Sequence, residues 1–474
     1  MCDTLDHASA LPIADADPLC RLGAADLATA YAAGQLSPVD VARAAIARAE
    51  EIQPIYNAFT RIHGEAALDQ ACASEARWRR GEPRSAVDGV PATIKDIVWV
   101  ADWPVRYGSP STPSTPCVAD APAVERMREA GLVFIGQTTT PEFGWKAITD
   151  GPLSGITRNP WNPELTPGGS SGGAAVAALT GAGLFHLGTD GGGSIRVPAA
   201  FTGIVGLKPT YGRVPAYPAS AFGTVAHLGP MARRVADARA MLGAMAGPDP
   251  RDWLQGPGVL PDLDAAPRSL AGLRVGHWSR PPGGTLDPEI ATAVDAAVAA
   301  LARAGAEVTS VDLPAGEPIE IFEVLWSAGA AARAADLPAA AREALDPGLG
   351  EIVAMGEGYG AVRYLRATTA RAEFGRAMEA LAARFDVLVS PATAVLPFAA
   401  GQEVPPGSGL RRWFEWAGFS IPLNLSQQPA IVVPCGRSVS GLPIGLQIIG
   451  PRGADALVLA VAESFEAEFP DRFN

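Results

Sequence analysis

The chain has 474 residues, 48% hydrophobic and 18% charged, which excludes a largely disordered protein and gives length enough for a full-sized core. Its 37 Lys plus Arg stand against 50 Asp plus Glu, a formal charge of −13. Such a surface lacks the clustered cations that hold nucleic-acid phosphates. Five cysteines, odd in number and scattered, make no disulfide framework, and no CxxC or HExxH spacing marks a metal site. Aspartates occupy the N-terminal stretch where a secretory signal needs an apolar run, and the longest apolar stretch, about 174–185, is too short to span a bilayer. The expectation is a soluble cytoplasmic protein, with a flexible segment over 1–18 and a single domain over 19–474.

Two helices open the ordered part. The second starts at Ser37-Pro38, with serine as N-cap and proline at the first helical position, and is expected to stop at about Ile52 before Pro54. A strand-like run follows at 91–100. A helix over about 121–130 closes at Gly131 and leads directly into a strand at 132–138, the alternation of an α/β sheet protein. Residues 151–213 are dense in Gly, Ser and Pro but interrupted by apolar segments, unlike a linker. Helical stretches are expected at 289–304, 328–345 and 361–385, and a buried strand at 386–390. A Gly/Pro-rich loop at 401–409 then precedes Trp413, Phe414 and Trp416. Strands at 430–434 and 445–449 and a helix after Pro451 finish the chain.

Three segments carry chemistry. One is the stretch Thr166-Pro167-Gly168-Gly169-Ser170-Ser171-Gly172-Gly173. Another is Gly188-Thr189-Asp190-Gly191-Gly192-Gly193-Ser194-Ile195-Arg196, and the third is Lys95 within Gly89–Asp96. Lys95 is one of only three lysines, with Lys146 and Lys208, in a chain that otherwise uses arginine. A serine hydroxyl needs a base within hydrogen-bond reach to act as a nucleophile, and a lysine can be that base only when neutral. The apolar flanks of Lys95 (Ile94, Ile97, Val98, Trp99) point to burial, which favours the neutral amine.

Together these segments resemble the amidase signature family of Ser–Ser–Lys hydrolases. Further matches are Gly136–Phe143, Asn159–Asn162, Gly203–Pro209 and Leu442–Gln447, so the likeness runs from about residue 20 to the C-terminus and is densest over 85–215. It implies an α/β fold with a central mixed β-sheet flanked by helices on both faces. It also implies that Ser194 is the nucleophile, Ser170 the proton relay and Lys95 the general base, with a cis peptide at Gly169–Ser170. The backbone N–H groups of Gly191, Gly192, Gly193 and Ser194 are the expected oxyanion hole, since glycines let successive N–H groups converge. Many relatives carry a side chain at the position of Gly191, which points to a more mobile hole here. Ser171, Asp190 and Arg196 match supporting positions. His186 and His227 are read as structural, Cys435 as a small core residue, and Lys208 as a surface or sheet-end residue.

The resemblance implies hydrolysis of a carboxylic amide, anilide or carbamate without metal or other cofactor. The partner is then a small-molecule substrate, with no nucleic acid and no membrane, and the protein a monomer or homodimer. The pocket region is expected at about 300–425. Its candidate lining residues are Phe143, Trp145, Trp326, Tyr359, Trp413 and Trp416, an apolar set suited to aryl or alkyl groups. One rival is an α/β-hydrolase centred on Ser171, but three prolines precede that serine and no histidine follows His277. Another is the glutaminase subunit of a tRNA-dependent amidotransferase. Its Leu-Gly-Thr-Tyr motif is absent from the comparable stretch Tyr359–Thr368.

Overall fold

The computed structural model describes residues 15–255, 263 and 269–473. Most of the N-terminal segment expected to be flexible therefore lies outside the described residues; within the described part, Pro18–Arg21 forms a short 3-10 helix capped by Asp17. The strands are β1 Phe59–Ile62, β2 Pro91–Lys95, β3 Val133–Thr138, β4 Asp150–Gly151, β5 Gly155–Ile156, β6 Phe185–Asp190, β7 Val205–Lys208, β8 His227–Ala232, β9 Arg274–His277, β10 Glu307–Ser310, β11 Val387–Pro391, β12 Ala430–Arg437 and β13 Pro443–Ile449. Eleven of them form one sheet in the order β1-β3-β2-β6-β8-β7-β12-β13-β11-β9-β10. The sheet is mixed: β2 runs parallel to β3 and β6, and β8, β7, β12 and β13 pair antiparallel.

Helices flank this sheet. Central strands such as β2, β3 and β13 are buried along their whole length, and their near-continuous apolar runs are what two-sided covering requires. The edge strand β10 (Glu-Val-Thr-Ser) is mostly exposed, and its charge and small polar residues discourage further pairing.

Three local expectations are corrected. The helix begun at Ser37 continues through Pro54 to Tyr56 and ends at Asn57 in the left-handed conformation (φ 52°), whose N–H donates to Gln53 O at 2.9 Å. Pro54 falls in the last turn, where its missing N–H removes a single bond from the ladder. The run from Pro91 leaves the sheet after Lys95, because the N–H groups of Ile97 and Val98 turn back onto Lys95 O. That turn sets Lys95 at the carboxyl end of β2. The stretch expected to be helical at 328–345 is two helices, Pro318–Ala335 and Ala339–Glu343, separated before Pro338.

β2 and β6 are parallel neighbours, so Lys95 and Asp190 end adjacent strands on the same side. The helix Gly172–Thr180 begins directly after Ser171, and the helix Arg196–Thr202 directly after the glycine run. Lys95 thus ends a strand, Ser170 and Ser171 precede a helix, and the glycine run joins the end of β6 to the start of a helix, the usual place for ligands in α/β sheets.

Candidate active site

Lys95 is fully buried, and its Nζ lies 2.7 Å from Ser170 Oγ, 2.9 Å from Ser171 Oγ and 2.8 Å from Thr189 Oγ1. Burial pushes the amine well below the ordinary lysine range, and the nearby Asp190 carboxylate pulls in the opposite direction. The Ser171 hydroxyl donates to Thr189 O at 3.1 Å and accepts from Thr189 N–H at 3.2 Å. Its proton is therefore committed, and Ser171 can only accept from Lys95. Among the described residues the Ser170 hydroxyl has no other partner, so Ser170 is free to donate to a neutral Nζ. The Gly169–Ser170 peptide is cis. A Cβ at Gly169 would stand 2.4 Å from the Ile148 carbonyl, so only glycine fits before Ser170.

Ser194 is buried, and its hydroxyl and that of Ser170 line one cavity. The hydrogen bond expected between them is not formed; among the described residues the Ser194 hydroxyl bonds to no protein atom. Catalytic hydrogen bonds are often open until substrate arrives.

The glycine run departs from expectation at one position. Gly193 N–H donates to Asp190 Oδ1 at 2.9 Å, so it is not available to an oxyanion. The N–H groups of Gly191, Gly192 and Ser194 have no acceptor among the described residues, whereas Ile195 N–H donates to Asp190 Oδ2 at 3.2 Å. Nor is the loop left loose by Gly191. A Cβ there would lie 2.7 Å from the Trp326 ring, and one on Gly192 would lie 2.7 Å from Trp413 Cη2. The aromatic rings occupy the volume that side chains would take.

Asp190 and Arg196 form a fully buried ion pair at 2.9 Å. Arg196 also donates to Ser420 O, Gln447 Oε1 and Asn424 Oδ1, and Asn424 Nδ2 donates to Asp190. The guanidinium beside Asp190 holds its carboxyl far below the usual carboxylate range despite burial. Asp190 is thus a permanent anion that fixes the backbone on both sides of Ser194.

The cavity has a volume of about 290 Å³. Ser170, Thr189, Gly191 and Ser194 supply its polar wall, and Ile97, Val98, Phe143, Phe222, Leu228 and Trp326 much of its apolar one.

A family model described as Amidase matches residues 40–459 of this chain. The chain belongs to the amidase signature family. An acylamidase of Rhodococcus erythropolis is 37% identical over 95% of this chain and 96% of the relative. A glutamyl-tRNA(Gln) amidotransferase subunit from Symbiobacterium thermophilum is 34% identical, covering 94% of this chain and 96% of its own. Among solved structures, a bacterial aryl acylamidase of the amidase signature enzymes superposes with a TM-score of 0.89 at 28% identity, over 96% of this chain and 97% of that one. The protein is an amidase.

Of the aromatics named from the sequence, Phe143 and Trp326 line this amidase's cavity. Trp145, Trp413 and Trp416 do not: each is 1% exposed. Trp416 stacks on Phe201, with centroids 6.0 Å apart, and its Nε1 donates to Glu403 O. Tyr359 lies elsewhere, its hydroxyl donating to Glu323. The expectation that Trp413 and Trp416, which follow the loop 401–409, line the pocket is therefore corrected. Trp413 and Phe414 are core residues too, and Trp413 backs the glycine loop.

Four contributors escape a reading of the sequence: Thr189, Tyr107, Arg333 and the segment Ala216–Phe222. For Thr189 a signal exists, since it immediately precedes Asp190 at the end of β6; the others have none. Lys208, placed at the surface or a sheet end, does end β7 but is fully buried, its Nζ donating to the carbonyls of Gln428 and Pro209. Lys146 is held between Asp150 and Asp346. His186 and Cys435 are fully buried. His227 lines the cavity wall, but its Nδ1 faces the carbonyls of Val225 and Asp190 and its Nε2 is buried, so it offers the cavity no titrating nitrogen. No helix among the described residues is long and apolar enough to cross a membrane.

Proposed function

We propose that this amidase cleaves the C–N bond of a small aryl or alkyl amide through an acyl-enzyme on Ser194. Ser194 Oγ attacks the carbonyl carbon while its proton passes to Ser170 and the Ser170 proton to neutral Lys95 Nζ. The developing oxyanion is taken by N–H groups of Gly191, Gly192 and Ser194. The C–N bond then breaks as the proton returns through Ser170 to the leaving nitrogen, and water releases the acid by the same relay in reverse. The observation that carries this reading is the environment of Lys95. A fully buried amine with a depressed pKa touches both Ser170 and Ser171, and of these two only the Ser171 proton is committed elsewhere among the described residues.

The apolar cavity wall and the likeness to an acylamidase and an aryl acylamidase favour anilides and alkyl amides, with carbamates and esters as alternative acyl donors. Purified chain alone should release amine from simple anilides. Ser194→Ala should abolish this by several orders of magnitude, and a fluorophosphonate should label Ser194 only. Labelling of Ser171 with Ser194 untouched would refute the assignment. Turnover that appears only with added partner subunits would favour the amidotransferase reading.

A further inference from the structure

One wall of the cavity holds a cation that no carboxylate among the described residues pairs with. Arg333, in the last turn of the helix Pro318–Ala335, lines the cavity shared by Ser170 and Ser194. Its guanidinium carbon lies 4.7 Å from the Tyr107 ring centroid and 4.8 Å from that of Phe143. Among the described residues it makes no hydrogen bond and no ion pair. Asp336, the carboxylate three residues on that also lines the cavity, is not paired with it.

The clamp around this guanidinium is held by its own backbone. Tyr107 (φ 54°) and Phe143 (φ 51°) both adopt the left-handed conformation, which aromatic residues rarely enter and which tends to persist where a site needs it. Phe143 N–H donates to Tyr107 O at 2.7 Å, joining the two turns. The Asp96 carboxylate accepts from the N–H groups of Arg106 (2.8 Å) and Gly108 (3.3 Å), bracketing Tyr107, whose hydroxyl accepts from Trp99 Nε1 at 2.8 Å. Two aromatics in an unfavourable conformation, bonded to each other and turned on one guanidinium, hold it by cation–π contact while using none of its N–H donors. Those donors form a planar fork whose best match is a carboxylate.

We propose that Arg333 is a specificity-determining residue that binds a planar two-oxygen acceptor, a carboxylate or its nitro isostere, at the end of the substrate remote from the scissile amide. This rests on the reading that Ser194 performs the chemistry in the same cavity. The apolar residues that line the same cavity (Ile97, Val98, Leu228, Trp326) take the aryl or alkyl body of the substrate. The substrate class is then an amide with an apolar middle and an acidic end. In a chain of charge −13, a guanidinium inside the cavity that no described carboxylate pairs with is the local attractor for that end. The residue stands on a different helix from the stretch Tyr359–Thr368, so the subsite differs in position from a glutaminase motif.

The test uses two matched substrate pairs: 4-acetamidobenzoate against acetanilide, with the acid on the amine side, and N-phenylsuccinamate against butyranilide, with the acid on the acyl side. In one pair the wild-type protein should prefer the acid by about ten- to a hundredfold in kcat/KM. Arg333→Met should erase that preference, read as the ratio of kcat/KM for the acid over its neutral partner within the variant, and Arg333→Lys should keep part of it. Absence of a preference in both pairs, or a preference that survives Arg333→Met, overturns the proposal. Ser194→Ala run alongside separates the two claims: neutral anilides still turned over by that variant would sink the reaction centre itself. Their loss, with no charge preference in the wild type, would sink the subsite alone.

Discussion

Trp413 offers the sharpest test of how the reaction centre is held. Its ring is 1% exposed, lies 5.6 Å from both Phe322 and Trp326 edge-on, and fills the space beside Gly192. Truncating a buried Trp to Ala removes about 4 kcal/mol of packing. The Trp413 Nε1 proton, however, is buried without an acceptor among the described residues, and removing such a group returns about 2 kcal/mol. The expected loss for Trp413→Ala is therefore about 2 kcal/mol. Trp416→Ala has no such offset, because Trp416 Nε1 donates to Glu403 O; it should lose about 5 kcal/mol, the packing plus about 1 for the bond.

Urea denaturation at constant m separates the two variants by about 3 kcal/mol on this reasoning. Kinetics supply an independent readout. With the wall behind Gly192 gone, the loop that carries the free N–H groups loosens. Losing one oxyanion donor costs about 10²–10³ in kcat, so partial misalignment should lower kcat by about tenfold. The fall should be the same for a small aliphatic amide and for an anilide. A rise in KM confined to aryl substrates, with kcat and stability untouched, would refute the placement of Trp413 behind the loop. So would a Trp413→Ala variant less stable than Trp416→Ala.

Activity should climb with pH through a pKa below the ordinary lysine range, since Lys95 must be neutral; Lys95→Ala should remove most turnover and Lys95→Arg should not restore it. In stability the sign follows from the same depression. Between the folded and the ordinary lysine pKa the unfolded chain binds more protons at this site, so the contribution of Lys95 to stability rises with pH across that interval. Lys95→Met should make this slope less positive; the Lys208 amine, which burial also depresses, adds to the slope, and the buried Cys20 and Cys435 thiols, pushed up to about 11 and about 12, oppose it. An unchanged slope in thermal melts from pH 7 to 10 would count against a neutral Lys95. Asp190→Asn leaves the buried Arg196 without its counter-charge and should cost about 3–5 kcal/mol in denaturant titrations. A loss below about 1 kcal/mol would mean that the ion pair is dispensable.

Much of the sheet is legible because its signals are local. Ser37 followed by Pro38, Gly131 between helix and strand, and the apolar runs at 430–434 and 445–449 each announce an element within a few residues. The misses are also local in cause. Pro54 reads as a stop, but a proline in a last turn removes only one bond. The run from Pro91 to Val100 looks like one strand by composition, and only the turn onto Lys95 O shows where the sheet is left. Nothing in the sequence near Lys208 reveals that its amine is covered, because the covering carbonyls come from Gln428 and from Pro209 in its folded position.

The same contrast explains why the turns of the candidate site are legible in the sequence and the pocket is not. Lys95, Ser170 and Ser194 sit at three turns whose composition is unusual on its own, and glycines there are demanded by close approach. What approaches is written far downstream. The volume missing at Gly191 and Gly192 is supplied by Trp326 and Trp413, so a run that promises mobility is instead wedged between rings. The cavity wall draws on Ile97, Tyr107, Phe143, the segment Ala216–Phe222, Trp326 and Arg333, which no spacing connects. By local pattern Trp413 and Trp326 are equivalent, each an aromatic in an apolar neighbourhood. One backs the loop and the other faces the substrate space, and the difference arises only when distant helices pack against the carboxyl ends of β2 and β6. The shape of the cavity in this amidase is therefore a property of that packing, whereas the placement of Lys95, Ser170 and Ser194 belongs to the turns.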